Sequence, residues 1–326
     1  MEPKRIGFVG AGTWMQTYHL PAARYLADRG ELLLHGIFNR TREKATEAAG
    51  EFGVPQVFRS SEELIGSSGL DGVVIAVARQ FTPTVLREAA RNGVPVLVEK
   101  PPADTVTEMR ELCQTVGVAN LVAFNRLYTP LMQNVREAAL RISPYYLLCW
   151  FSRRRRDDPR FVTETGIHAL ANADWLFGPG SLQEARHEQV SSNVEWWSAR
   201  MRYPESPLAP NGLVADFVFH PWSGRAVERY QLTGSTGTVE FHTLQHYAPD
   251  DTEQIVESED HAGELIERRW VPPSNLPDLE RAGYIGEHRA FLALLHGVDN
   301  GASNPESFDL VRTLRVMELA QEIEQS

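Results

Sequence analysis

Nearly continuous apolar runs alternate with amphipathic stretches through the first 125 residues, and no other feature restricts the fold as much. Residues 6–9, 32–38, 72–77, 94–98 and 120–124 are rich in β-branched side chains and too short for buried helices. Between them lie helical patterns over 15–27, through Ala45 and Ala49, over 83–91 and over 105–115. Strands that are apolar along their whole length are buried on both faces, so they belong to a parallel sheet covered by helices on each side. The expectation is a doubly wound α/β domain of six strands, a Rossmann arrangement, over residues 1–124.

The pattern changes after Pro130. A helix over 131–141 leads into Tyr145-Tyr146-Leu147-Leu148-Cys149-Trp150-Phe151, followed mostly by alternating strands such as 214–219, 228–233 and 238–241. The last two flank a hairpin turn, Gly234-Ser235-Thr236-Gly237. Helices over 285–295 and 308–323 close the chain, so residues 125–326 are expected to form an α+β domain with a mostly antiparallel sheet. Lys plus Arg number 32 against 43 Asp plus Glu, a net charge of −11. That balance argues against nucleic-acid and anionic-membrane partners. No apolar run approaches the roughly 18 residues of a membrane span. Two cysteines, Cys113 and Cys149, cannot form a disulfide framework, and Met1-Glu2-Pro3-Lys4-Arg5 runs straight into a strand without room for a signal peptide. A cytoplasmic protein is expected.

Val9-Gly10-Ala11-Gly12-Thr13-Trp14-Met15, closing the first strand, is a partial dinucleotide-binding turn. Gly10 permits the tight turn, and Gly12 lets the backbone approach a pyrophosphate at a helix start. Met15 replaces the third glycine, so helix-to-strand packing should be looser there. Thr13 and Trp14 on the turn, with Ala76, Glu99 and Asn125 at other strand ends, join the cofactor-binding set. The second strand ends in Phe38-Asn39-Arg40-Thr41-Arg42. A carboxylate at this place would bond a ribose 2′-hydroxyl, whereas a cation accommodates a 2′-phosphate. With Asn39 and Thr41 as hydrogen-bonding groups and Arg40 and Arg42 as charges, NADP(H) is favoured over NAD(H).

In Val96-Leu97-Val98-Glu99-Lys100-Pro101, a lysine directly after a buried strand points from the carboxyl edge of the sheet into the cofactor crevice. These pieces, with His19 and Pro21, Asn125-Arg126 with Pro130, Gly166-Ile167-His168, the turn 233–238 and the terminal helices, resemble the glucose–fructose oxidoreductase/inositol dehydrogenase/MocA (Gfo/Idh/MocA) family. The resemblance runs over essentially the whole length. It implies an NAD(P)-dependent oxidoreductase acting on a sugar, cyclitol or sugar derivative, with Lys100 counted in both the catalytic and cofactor-binding sets. It also implies an open-faced second sheet that pairs subunits into a homodimer or homotetramer. The family's catalytic stretch has Asp, three residues, His, then Asp three further on. Here it reads Glu164-Thr165-Gly166-Ile167-His168-Ala169-Leu170-Ala171, so His168 matches, Glu164 stands for the first Asp and Ala171 for the second.

Oxidising an alcohol carbon requires its hydroxyl proton to leave, and a histidine suits that proton transfer at neutral pH. His168 is therefore the expected acid–base group, Lys100 the cation beside the developing alkoxide, and Glu164 the group that orients His168 or acts itself. Spaced i, i+4 on a helix, Glu164 and His168 share a face. Arg153-Arg154-Arg155-Arg156 follows a strand; period-2 alternation would put Arg153 and Arg155 on one side, where a substrate carboxylate or phosphate could bind. Arg126 joins them as a substrate candidate; a solvated strand end paired with Asp157 and Asp158 is the rival reading. Trp14, Trp196, Trp197 and Trp222 could stack on sugar rings. His242 and His246 lack a third ligand nearby, so no metal site is expected. Two other functions stay open: a redox-neutral epimerase, lyase or glycosidase, and a non-catalytic dinucleotide-sensing regulator. Lys100 and His168 argue against the regulator, whereas Glu164 and Ala171 keep it in play.

Overall fold

Each apolar run of the first half becomes a strand because both of its faces are covered. In the computed structural model, which describes residues 2–156, 158, 160–191, 194–243, 253–261, 264–297 and 308–326, the chain forms two compact units. The first comprises Met1–Tyr128 with Gly283–Leu314, the second Thr129–Ala282 with Arg315–Ser326. This differs from the single division after residue 124 that the sequence suggests. From the later of its two stretches, Tyr284, Ile285, Phe291 and Phe308 are buried in the core of the first unit. A Cβ on Gly72, for example, would stand 2.8 Å from the Phe291 ring.

The first unit holds β1 (Lys4–Val9), α1 (Leu20–Ala27), β2 (Leu32–Phe38), α2 (Arg42–Phe52), α3 (Ser61–Ile65) and β3 (Gly72–Ile75). It continues through α4 (Thr82–Arg91), β4 (Val96–Glu99), α5 (Val106–Thr115) and β5 (Asn120–Ala123). The strands form a parallel sheet in the order β2-β1-β3-β4-β5. Five strands form rather than six. At the outer edge of β2 a single parallel bridge, Ile37 to Val57, stands where a sixth would lie. Helix starts follow their sequence cues: Thr105 accepts the Glu108 N–H at 3.1 Å, and Ser60 accepts that of Glu63 at 3.0 Å. Phe8, Val9, Val73, Val74, Leu97, Val98, Leu121 and Val122 are fully buried, each side chain contributing roughly 1.5–3 kcal/mol by leaving water.

The second unit opens with α6 (Pro130–Ile142), capped by Thr129 and started by proline, then β6 (Pro144–Ser152) and α7 (Ile167–Phe177). The remaining strands are β7 (Ser181–Ser191), β8 (Val194–Tyr203), β9 (Leu213–His220), β10 (Val227–Gly234), β11 (Gly237–His242), β12 (Gln254–His261) and β13 (Glu264–Trp270). Helix α8 (Asp278–Arg281) follows, then α9 (Tyr284–Leu295) of the first unit and α10 (Leu310–Glu324). The strands form one eight-stranded sheet, β13-β12-β11-β10-β6-β9-β8-β7, antiparallel except for the β6–β9 pair. One face carries Cys149, Phe151, Phe217, Phe219, Tyr230 and Phe241, all buried. Helix α7 lies against it, with Asn172 donating to the Tyr230 hydroxyl at 3.0 Å. The other face leaves Leu148 and Trp150 exposed. No described helix is long and apolar enough to cross a membrane.

Candidate active site

The glycine turn at the carboxyl end of β1 is shaped by its backbone. Gly10 adopts φ +111°, and a Cβ there would overlap the Ala76 carbonyl oxygen at the end of β3. Only glycine tolerates both the angle and the contact. Its N–H donates to the Phe38 carbonyl at 2.8 Å, tying the turn to β2. At Gly12 the space is open, with nothing within 4 Å of the place a Cβ would take. The Gly12 carbonyl accepts the Gln16 N–H at 3.1 Å, and the Gln16 side chain donates to the Ala11 carbonyl at 2.7 Å. The helix then opens with a wide π turn, Met15–His19, before α1. Met15 is fully buried. The residue that stands in place of the third glycine is the first of this wider turn. The turn fits a dinucleotide: a helix start, whose first N–H groups have no partner within the helix, a glycine where no Cβ fits, and open space at Gly12.

Asn39 has a different employment from the one its sequence position suggests. Its Oδ1 accepts the Ala11 N–H at 3.0 Å and its Nδ2 donates to the Thr41 carbonyl at 2.9 Å. It joins the glycine turn to the β2–α2 loop. Thr41 precedes α2 as its N-terminal flanking residue. Arg40 is exposed, its guanidinium carbon 5.1 Å above the Phe81 ring. Thr13 and Trp14 are exposed on the turn, with Trp14 packed 5.0 Å from Tyr18.

Glu99 and Lys100 lie at the carboxyl end of β4, on the same edge of the sheet as the glycine turn. The Lys100 N–H donates to Glu99 Oε2 at 3.0 Å, and Glu99 Oε1 lies 3.0 Å from His19 Nε2. The Lys100–Pro101 peptide is cis. Asn125 and Arg126 sit in a short helical turn after β5, both almost completely buried. The sequence reading missed Tyr284, which stacks on Tyr18 at 4.4 Å, and His288, whose Nε2 lies 3.2 Å from His19 Nδ1. Both come from α9, far along the chain, and no local motif marks them.

Glu164 and His168 belong to the second unit. A second π turn, Val162–Gly166, carries Glu164 and leads directly into α7, where His168 is 5% exposed. Its wider geometry replaces the regular helical turn assumed for the Glu164–His168 spacing. Gly166 is pressed on the sheet; a Cβ there would lie 2.8 Å from Phe219. Glu164 accepts from Arg160 at 2.6 Å. Asp158 beside it is pushed upward in pKa by burial and by the neighbouring Glu164 charge, against an opposing hydrogen bond from the Arg160 N–H. Glu324 of α10 grips the turn, accepting the Thr163 N–H at 2.7 Å and its hydroxyl at 2.6 Å. Ala171 is fully buried.

The arginine run does not alternate as expected, because β6 ends at Ser152. Arg153 turns back to form a buried ion pair with Glu228, which also accepts the Thr243 hydroxyl at 2.8 Å. Breaking such a pair costs roughly 3–5 kcal/mol, which commits Arg153 to the fold. Arg155 instead lies 4.6 Å over the Trp222 ring. Trp197 is buried against His187 at 4.8 Å, and Trp196 lies 5.6 Å from His220. His242 bonds Glu240 at 2.6 Å; His246 and Asp157 lie outside the described residues.

Residues 4–125 match the family model GFO_IDH_MocA, described as an oxidoreductase family with an NAD-binding Rossmann fold. Over these residues the chain is similar to the Gfo/Idh/MocA oxidoreductases. Inositol 2-dehydrogenase of Corynebacterium glutamicum is 31% identical over 200 residues, 58% of this chain and 58% of that protein. D-xylose 1-dehydrogenase (NADP(+)) 2 of Haloferax volcanii is 32% identical over 104 residues, 31% of this chain and 32% of that protein. The chain spans about half the length of the curated relatives it matches. A dehydrogenase of known structure from Chromobacterium violaceum shares the Gfo/Idh/MocA fold, with a TM-score of 0.82 at 20% identity, covering 99% of this chain and 95% of that one.

Proposed function

We propose that the chain is a dehydrogenase or reductase that uses NADP(H) in preference to NAD(H) and acts on a CH–OH or keto carbon of a sugar, cyclitol or sugar derivative. The observation that carries this reading is the placement of Gly10–Gly12 and Glu99-Lys100 on one carboxyl edge of one parallel sheet, in a domain matched by an NAD-binding family model. Ligands of open α/β sheets bind along that edge. The names of the inositol and xylose relatives support the substrate class, and the NADP in one of them accords with Arg40.

When bound, the nicotinamide supplies the acceptor or donor of the hydride. The chain's own part is to bind, orient and move a proton. The Gly10–Trp14 turn would hold the phosphates at a helix start, and Arg40 would supply the charge for a 2′-phosphate. The Lys100 ammonium holds the substrate oxygen and steadies the alkoxide as it forms. His168 takes the hydroxyl proton in oxidation and returns it in reduction, with Glu164 orienting it. The exposed Leu148 and Trp150 on the sheet support pairing of subunits through that face; a monomer by light scattering overturns that part. The reducing interior of the cytoplasm suits the two free thiols, Cys113 and Cys149.

Turnover assays over sugars, polyols and cyclitols with each nicotinamide cofactor test the activity. Lys100→Met should then remove most turnover with the best substrate while leaving cofactor affinity within a few-fold. An unchanged kcat in that variant overturns the assignment of Lys100.

A further inference from the structure

The carboxylate of Glu99 is committed at both oxygens. Oε2 receives the Lys100 backbone N–H, and Oε1 faces His19 Nε2 across 3.0 Å. Behind His19, 3.2 Å from its Nδ1, is Nε2 of His288. His19 is fully buried and His288 is 1% exposed. Gly286 brings α9 close enough for this contact, since a Cβ there would overlap the Tyr128 carbonyl oxygen.

An ionised carboxylate only accepts, so His19 must present Nε2–H to Glu99. The orientation of the ring is then fixed by the partner of its other nitrogen, Nδ1. His288 is that partner. Burial and the neighbouring His19 hold the His288 pKa well below its usual range, so the His288 ring acts as an uncharged hydrogen-bond partner. Glu287, the adjacent residue, is also completely buried, and neither carboxyl oxygen has a hydrogen-bond partner. Burial and the Glu99 charge push it well above the usual carboxyl range, which favours its uncharged form.

We propose that His288 is a positioning residue: through the His19 ring it holds the Glu99 carboxylate in place, and with it the backbone from which Lys100 extends. Nothing here requires His288 to touch substrate or cofactor. Its effect on turnover rests on the proposed role of Lys100; the hydrogen-bond chain does not.

The test uses the full-length protein labelled with 15N at histidine. In the wild type the His19 ring should give nitrogen shifts with Nε2 protonated. His288→Met fills similar space but does not supply the ring nitrogen that faces His19; it should leave Nε2–H on Glu99 and shift the Nδ1 resonance as that nitrogen loses its hydrogen bond. His288→Gln can still bond His19 Nδ1 and should restore the wild-type pattern. In parallel, His288→Met should lower kcat about ten-fold, short of the 10²-fold that a displacement near 1 Å can cost. KM and cofactor affinity should stay within two-fold, and His288→Gln should retain most of the activity. A His19 ring carrying its proton only on Nδ1 in the wild type overturns the proposal, and that measurement needs no variant to fold. Equal losses of kcat in the Met and Gln variants, or no loss in a folded Met variant, also overturn it. If Lys100→Met leaves kcat unchanged while the His19 pattern responds as expected, the proposed reaction fails and the hydrogen-bond chain stands.

Discussion

Two wide helical turns, Met15–His19 in the first unit and Val162–Gly166 in the second, adjoin the two stretches on which the proposed function depends. Such π turns recur at functional sites, yet these two are held in different ways. The first is secured largely through backbone: Gly10 bonded to β2, Gly12 to Gln16, and a glycine where the Ala76 carbonyl leaves no room for a side chain. The second is secured by side chains, with Arg160 on Glu164 and Glu324 on Thr163. Backbone constraints leave their mark at the constrained residue itself, as glycine. Side-chain constraints depend on partners anywhere in the chain, as Glu324 illustrates at 161 positions from Thr163.

The sharpest way to break the comparison is His168→Asn. If the second turn serves catalysis, kcat should fall about 10²–10⁴-fold, the range for a positioned proton-transfer group. Thermal stability and cofactor affinity should change little. Lower stability with unchanged kcat would make His168 a packed core residue instead.

The first turn should respond in the opposite way. Gly10→Ala must adopt a positive φ at a cost of roughly 1–3 kcal/mol, with the Ala76 overlap in addition, so melting temperature and cofactor binding should fall together. Gly12→Ala has room for its methyl group. It should keep the fold and weaken only the dinucleotide, because the methyl group occupies the approach to the phosphates. Equal melting losses in the two variants would refute the backbone account.

Arg40→Ala addresses the cofactor end. A charge-assisted bond is worth roughly 1.5–3 kcal/mol, so NADPH affinity should drop about ten- to hundred-fold and NADH affinity hardly at all. Titrations that weaken both equally would remove the 2′-phosphate from the account of this loop.

The smallest effect concerns Glu324. Burial raises its pKa, partly opposed by hydrogen bonds from Thr163 and Val162. A carboxyl group with a raised folded pKa stabilises most at low pH and loses that contribution as pH climbs through the folded value. Glu324→Gln should therefore flatten the decline of melting temperature above the ordinary carboxyl range. An unchanged slope would mean that Glu324 does not govern it.

The first sheet was legible because its strands are apolar throughout, and Gly10 because its backbone angle excludes other residues. The second sheet was legible only in part. Strand β7 reads Ser181–Ser191 with most side chains exposed, so it lacks the alternation that betrays a half-buried strand. The arginine run misleads because its strand stops at Ser152 and the residues beyond turn away. Asn39 stands where a ribose contact is expected, but the loops it bridges use its amide. His288, Tyr284 and Glu324 had no signal at all: each is an ordinary residue on a helix until its distant partner is placed beside it.

The division of the chain also bears on how the protein is made. The first unit lacks α9 until about 150 residues of the second have been synthesised. At 5–20 residues per second, a nascent chain spends roughly 8–30 s with His19 deprived of His288 and with the Phe291 site at Gly72 unfilled. During that interval the emerging sheet is a half-built surface for chaperones to shelter, and α9 completes it only after most of the second unit has been made.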